Sequence, residues 1–237
     1  MCHGVTMVIS RRFVRQNIVQ VLHIVNSSLQ YSRNMGMLHN LSDLIKAKRD
    51  KMTMLVLGLN NSGKSTIINH FKKSSEQSAI MVPTVGFQIE QFYNMGVSIK
   101  AIDMSGATRY RNLWEHQFKN CQGIIYVIDA SDRMRFVVVK DELDLVLQHP
   151  DFCNRNVPIL FYGNKSDLED SLSNVKIAAA LGLENIKEKP WHICSSNAVS
   201  GEGLDEGVQW LVQQIRFAIL SNKKKGKKLK LTSKDNK

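Results

Sequence analysis

The chain has 237 residues, 43% of them hydrophobic, enough apolar material for one globular domain with a sizeable core. Of the net charge of +11, residues 1–34 carry Arg11, Arg12, Arg15 and Arg33 without an acid, and residues 221–237 carry eight Lys against Asp235; removing these flanks from 32 basic and 21 acidic residues leaves twenty of each in 35–220. A neutral centre argues against a nucleic-acid-binding core, and no apolar run approaches the roughly 18–20 residues of a membrane span, the N-terminal one at Ile18 to Val25 being broken by Gln20 and His23.

In chain order, residues 1–34 form an extension outside the expected fold, read either as the product of an upstream translation start or, from their acid-free, Arg-bearing composition, as a mitochondrial presequence. Residues 35–51 hold Leu38, Leu41, Leu44 and Ile45 at helical spacing, which predicts an amphipathic helix and linker suited to a bilayer interface. The folded domain is expected over 52–220. Met54 to Leu57 reads as its first strand, and Gly86 to Tyr93 with Val97 to Asp103 as a hairpin around Asn94-Met95-Gly96. Gly123 to Asp129 is continuously apolar, as a strand buried on both faces should be. Pro158 to Tyr162 and Trp191 to Cys194 follow as strands, with helices expected at Arg109 to Asn120, Arg135 to Leu147, Val175 to Leu181 and Leu204 to Leu220. This alternation predicts an α/β fold, a six-stranded mostly parallel sheet with one antiparallel edge strand and helices on both faces. The Lys-rich residues 221–237 repel one another and are expected to be disordered. Cys2, Cys121, Cys153 and Cys194 show neither C-x-x-C pairing nor metal-ligand spacing, which suggests a reduced, intracellular setting.

Gly58-Leu59-Asn60-Asn61-Ser62-Gly63-Lys64-Ser65 satisfies G-x-x-x-x-G-K-[ST] between a strand and a helix. The glycines let successive backbone N–H groups turn toward phosphates, Lys64 adds a cation at the β and γ oxygens, and the Ser65 hydroxyl is a hard ligand for Mg2+. The base is chosen elsewhere. After the strand Pro158 to Tyr162 comes Asn164-Lys165-Ser166-Asp167; an ionised Asp167 can accept from the guanine N1–H and N2 amine, a donor pair that adenine lacks. A site built around such bonds rejects the analogue without them by about 10⁴ or more. Lys165 can lay its aliphatic stem along the base.

Between these motifs, Pro83-Thr84-Val85-Gly86 precedes the second strand and Asp103-Met104-Ser105-Gly106 ends the third. The Thr84 hydroxyl and the Asp103 carboxylate, the latter through water, can complete the Mg2+ shell begun by Ser65. The Gly106 N–H can bond a γ-phosphate, so both segments relax when that phosphate is lost.

Over residues 36 to about 220 the chain resembles the ADP-ribosylation-factor-like small GTPases, most closely in Ile102-Asp103-Met104-Ser105-Gly106, Arg109 to His116, Leu183 to Lys187 and Lys189 to Cys194. The resemblance implies a P-loop small GTPase fold, GTP or GDP with Mg2+ as cofactors, and a GTP-dependent switch. Its implied role is to recruit a coat of the BBSome type, through the switch segments, to membranes for ciliary transport, which implies a cytoplasmic, peripheral-membrane and ciliary location. It also implies a contact from the Thr66 backbone to the α-phosphate and support of the guanine by Cys194 and Ser195. Asn60 stands where many relatives have Asp, and Ser195 where they have Ala. Where the family has Gln to orient the attacking water, this chain has Ala107, so no catalytic residue is identified and intrinsic hydrolysis is expected to be very slow unless a partner positions water. Thr108 is a short and poorly placed substitute. Trp114 is either an exposed reader beside the switch segments or a core residue. Counted from Met35, the place where the myristoylation pattern wants Ser or Thr holds Asn40. The Lys tail is either a solvated end or a contact for anionic lipid. Two other classes compete with the switch: a P-loop kinase, which would need a substrate lid that is not visible, and a nucleic-acid binder acting through its tail.

Overall fold

The computed structural model describes residues 51–232, with side chains as far as Ser221. The extension 1–34 and the segment from Leu38 to Ile45 lie outside the described residues. Six strands, β1 (Lys51–Leu57), β2 (Phe87–Asn94), β3 (Val97–Met104), β4 (Gly123–Asp129), β5 (Ile159–Asn164) and β6 (Trp191–Ser196), form one sheet in the order β2-β3-β1-β4-β5-β6. Only the edge strand β2 runs antiparallel to its neighbour. Among the described residues five α-helices accompany them: α1 (Lys64–Phe71), α2 (Phe136–Gln148), α3 (Pro150–Cys153), α4 (Asn174–Leu181) and α5 (Leu204–Thr232).

Side chains alternate across each strand and so feed two cores. Leu55 and Leu57 of β1, with Ile124, Tyr126 and Ile128 of β4, meet Phe136, Val139 and Leu143 of α2 and Ile177 of α4. On the other face Met52, Met54 and Val56, with Ile125 and Val127, meet Ile67 and Ile68 of α1 and Leu204, Val208, Leu211 and Ile215 of α5. Both faces are therefore dry, which explains the continuous apolar run of β4. The hairpin closes on a two-residue turn, with Asn94 opposite Val97 and both Met95 and Gly96 at positive φ, 53° and 75°. That is the turn whose twist matches the strands it joins.

One expectation is corrected. The helix expected from Arg109 to Asn120 is a pair of 3-10 turns, Thr108–Leu113 and Glu115–Asn120. The Arg111 Nε donates to the Gly106 carbonyl at 3.0 Å and the Trp114 Nε1 to the Ser105 carbonyl at 2.9 Å, drawing the segment back onto the end of β3. Trp114 is buried, edge-on to Tyr126 at 6.5 Å, and is a core residue rather than an exposed reader. The backbone of α5 runs as a helix to Thr232, into the stretch 221–237 for which disorder is expected. Propagating an existing helix costs little, Lys and Leu are good helix formers, and cations suit a helix C-terminus.

Candidate nucleotide site

The ends of β1, β3, β5 and β6 converge on one edge of the sheet, the crevice at which open α/β sheets hold ligands. The loop after β1 bends through Gly58, Asn61 and Gly63 at φ of 136°, 63° and 96°. A Cβ on Gly58 would stand 2.1 Å from the Val127 carbonyl oxygen, and one on Gly63 would stand 2.2 Å from the Asn164 Nδ2. The loop is thus pressed against β4 on one side and the end of β5 on the other, and no other residue fits at either place. At Lys64 the chain enters α1, whose first N–H groups lack intrahelical partners and face an anion naturally. The Lys64 ammonium donates to the Leu59 carbonyl at 2.8 Å. Burial pulls its pKa down to about 8, Arg111 and Arg135 push the same way, and Asp103 opposes them. A poorly hydrated cation of this kind loses little on exchanging partners for a phosphate.

The three expected metal ligands, far apart in the chain, are brought together. The Ser65 hydroxyl donates to the Asp103 Oδ2 at 2.5 Å and lies 3.1 Å from the Thr84 hydroxyl, which in turn donates to Asp103 at 3.3 Å. Asp103 is buried, and its Oδ1 has no hydrogen-bond partner among the described residues. Burial raises its pKa against the bond from Ser65, the Lys64 charge and the bond from Thr84. Two hydroxyls and a carboxylate with an unused oxygen are hard ligands of the sort Mg2+ takes, so the residues present fit that ion. Gly106 lies against the phosphate loop itself: a Cβ there would be 2.2 Å from the Leu59 carbonyl carbon, 2.3 Å from the Asn60 nitrogen and 2.4 Å from the Gly58 oxygen. Both expected switch segments therefore touch the loop or its hydroxyl. Ala107 follows, half-buried, with Thr108 exposed.

On the base side, Asn164 is a strut. Its Nδ2 donates to the Ser62 carbonyl at 2.8 Å, and its Oδ1 accepts from the Ala198 N–H at 3.0 Å and the Ser196 hydroxyl at 3.3 Å. One buried amide thus ties the phosphate loop to the loop after β6. Lys165, at φ 62°, sends its ammonium to the Asp129 carboxylate at 2.6 Å, which fixes the far end of its stem. Burial alone would raise the Asp129 pKa, but Lys165 and Ser131 together outweigh it and hold the carboxyl below its usual range. Asp167 is exposed and its carboxylate open to a ligand. Cys194 is buried, its thiol pushed up to about 12 by burial with Glu206 adding to the shift, while the exposed Ser195 hydroxyl donates to the Asn174 Oδ1 at 3.0 Å. Asn60 and Thr66 flank the site, and Asn60 receives the Arg135 guanidinium on its carbonyl at 3.0 Å and its Oδ1 at 3.2 Å. Asp129, Ser131, Ser196, Ala198 and Arg135 were not among the residues singled out in the sequence. Asp129, a charge ending an apolar strand, was the one with a readable signal.

The sequence profile described as the ADP-ribosylation factor family matches residues 37–215. The chain belongs to that family. A Danio rerio protein named ADP-ribosylation factor-like protein 6 is 54% identical over 182 residues, covering 77% of this chain and 98% of its own length. A Caenorhabditis briggsae protein of the same name is 41% identical over 189 residues, 80% of this chain and 100% of its own. Among solved structures, the Arl6 BBS3 small GTPase from Trypanosoma brucei, with the nucleotide analogue GppNp bound, aligns with a TM-score of 0.67 at 34% identity, covering 71% of this chain and 99% of that one. The chain is a guanine-nucleotide-binding switch protein of the small GTPase kind, and the P-loop kinase reading falls away.

Proposed function

We propose that this protein, loaded with GTP and Mg2+, recruits a trafficking coat of the BBSome type to membranes for ciliary transport, working in the cytoplasm and as a peripheral membrane protein. The observation that carries the proposal is the convergence of Thr84, Asp103 and Gly106 on Ser65 and the phosphate loop. Segments so joined respond together to a γ-phosphate, and a partner reading both distinguishes GTP from GDP. In this reading Gly58, Asn60, Asn61, Ser62, Gly63, Lys64, Ser65, Thr66 and Gly106 hold the phosphates, and Ser65 and Thr84, with Asp103 through water, hold the metal. Asn164, Lys165, Asp167, Cys194 and Ser195 form the base side. The segment from Leu38 to Ile45 lies in the bilayer interface. Bound nucleotide extracted from the purified protein is expected to be GTP or GDP. A purified BBSome-type coat is expected to bind the GppNp-loaded protein at least tenfold more tightly than the GDP-loaded one, and equal affinities reject the proposal.

A second reading rests on Ala107. A methyl group neither donates nor accepts a hydrogen bond, so water at the γ-phosphate has no orienting amide from this position, and the protein stays GTP-loaded as a binding module. In single-turnover hydrolysis Ala107→Gln is expected to be at least tenfold faster than the unaltered chain. Equal rates reject this reading without touching the first.

A further inference from the structure

The end of the domain opposite the nucleotide site is built in an unusual way. β1 runs from Lys51 to the phosphate loop, a rise of about 20 Å. At its start Lys51 lies in register with Ser98, just past the hairpin turn at Met95 and Gly96. α5 begins on the nucleotide side, where the Leu204 carbonyl accepts from the Tyr162 hydroxyl at 2.5 Å, and runs the other way. By Arg216 it has reached the hairpin turn, and the guanidinium donates to the Met95 carbonyl at 3.2 Å. The entry of the chain, the hairpin turn and the departing helix therefore share one end.

Beyond Arg216 the helix continues, with Ile219 still packed against the core but Phe217 and Leu220 turned away from it. Phe217 and Leu220 are 70% and 58% exposed, and the helix continues to Thr232. Its last stretch holds Lys223, Lys224, Lys225, Lys227, Lys228 and Lys230 with no acid. At 100° per residue, the helical backbone puts positions 217, 220, 224, 227, 228 and 231 on one side, so Phe217 and Leu220 open a stripe of helix positions that the sequence fills with Lys224, Lys227, Lys228 and Leu231. Since residues 35–220 are neutral, this stripe is where the folded part meets a large negative surface on favourable terms.

We propose that the distal part of α5, from Phe217 to Thr232, docks on an anionic lipid bilayer, with Phe217 and Leu220 in the interface and the lysines along the headgroups. Docked this way, the end bearing Lys51 and Met95 faces the membrane and the nucleotide site faces the cytosol. The inference shares with the proposed function the premise of a membrane-bound switch, but its test needs neither coat nor nucleotide exchange.

The test is co-sedimentation of the full GDP-loaded chain with vesicles of phosphatidylcholine alone or with 30% phosphatidylserine, at about 0.15 M salt. Each lysine at the surface is worth about fivefold in partition. The unaltered chain is expected to bind the anionic vesicles at least a hundredfold better than neutral ones. The triple variant Lys223→Glu, Lys224→Glu, Lys227→Glu is expected to lose that preference while keeping its affinity for fluorescent GDP, which shows that it folds. Phe217→Ser with Leu220→Ser, lysines intact, is expected to weaken anionic binding several-fold. Anionic binding unchanged in the triple variant, or unchanged in the Phe217 and Leu220 variant, overturns the proposal. So does binding of a 20-base-pair duplex, at the same salt, more tightly than the anionic vesicles.

Discussion

Removing the Asn164 amide tests whether the two halves of the nucleotide site are held by one side chain. Asn164→Ala strips a hydrogen bond from the Ser62 carbonyl, the Ala198 N–H and the Ser196 hydroxyl, at 2.8, 3.0 and 3.3 Å in the intact protein. Each such bond contributes about 1 kcal/mol net, and more when the partner left behind is buried and unsatisfied. Asn164 is 1% exposed and Ser196 fully buried, so water is slow to replace it. The loss should therefore be about 3 kcal/mol. For a domain of this size about 2–4 °C accompanies each kcal/mol, giving a fall in Tm of about 6–12 °C in thermal unfolding of the GDP-loaded protein. The loop and the base segment also become independent, so GDP release should quicken. Asn164→Asp separates the parts of the argument, since it keeps an acceptor for Ala198 and Ser196 but sets an oxygen against the Ser62 carbonyl. It should be at least as damaging as alanine. A fall of less than about 2 °C in Asn164→Ala refutes the strut.

Gly106→Ala places a methyl within 2.4 Å of the backbone of the phosphate loop, which cannot yield without shifting; GTP affinity measured with a fluorescent analogue should fall at least tenfold, and more than GDP affinity. Lys189→Met should lower stability by about 2–3 kcal/mol in denaturant unfolding with nucleotide affinity unchanged, because the ammonium donates to the carbonyls of Phe152, Cys153 and Arg155 and lies 4.3 Å from the Phe152 ring centre. Iodoacetamide at pH 8 should label Cys153 well before Cys194, as judged by peptide mass spectrometry. Burial pushes the Cys194 thiol up to about 12, so the reactive thiolate forms only as the pH approaches that value, whereas Cys153 is partly exposed.

Much of the site was legible because its parts are local. The phosphate loop is eight consecutive residues whose types follow from what binding a phosphate and a metal would ask of each. The hairpin is readable for the same reason, with Asn94, Met95 and Gly96 carrying the turn between two alternating strands. What the sequence hides is long-range. Asn164 can be picked from its motif as a base-side residue, but its three partners lie on the phosphate loop and beyond β6, out of reach of any spacing rule. The sequence offers Lys165 as a cover for the base, and only the fold shows that Asp129 holds its far end. The stretch from Arg109 to Asn120 has a helix-like pattern, yet Arg111 and Trp114 find better acceptors at Gly106 and Ser105 than a regular helix would give. In the Lys tail, the sequence shows the charge repulsion but not the long helix that runs into it.

The strand order also bears on how the chain acquires its shape. β1 is made first but lies between β3 and β4, so it stays without sheet neighbours until residues past 97 and 123 have emerged. The hairpin of β2 and β3 needs only nearby chain and can close early, on the microsecond scale. It then offers β3 as a template along which β1 aligns. Met52, Met54, Leu55, Val56 and Leu57 are all buried in the finished sheet. Until that template forms they are a bare apolar strand, the stretch of a nascent chain on which a chaperone holds or an aggregate begins. Changes that weaken the turn at Met95 and Gly96 should therefore lower the yield of folded protein well before they disturb the nucleotide site.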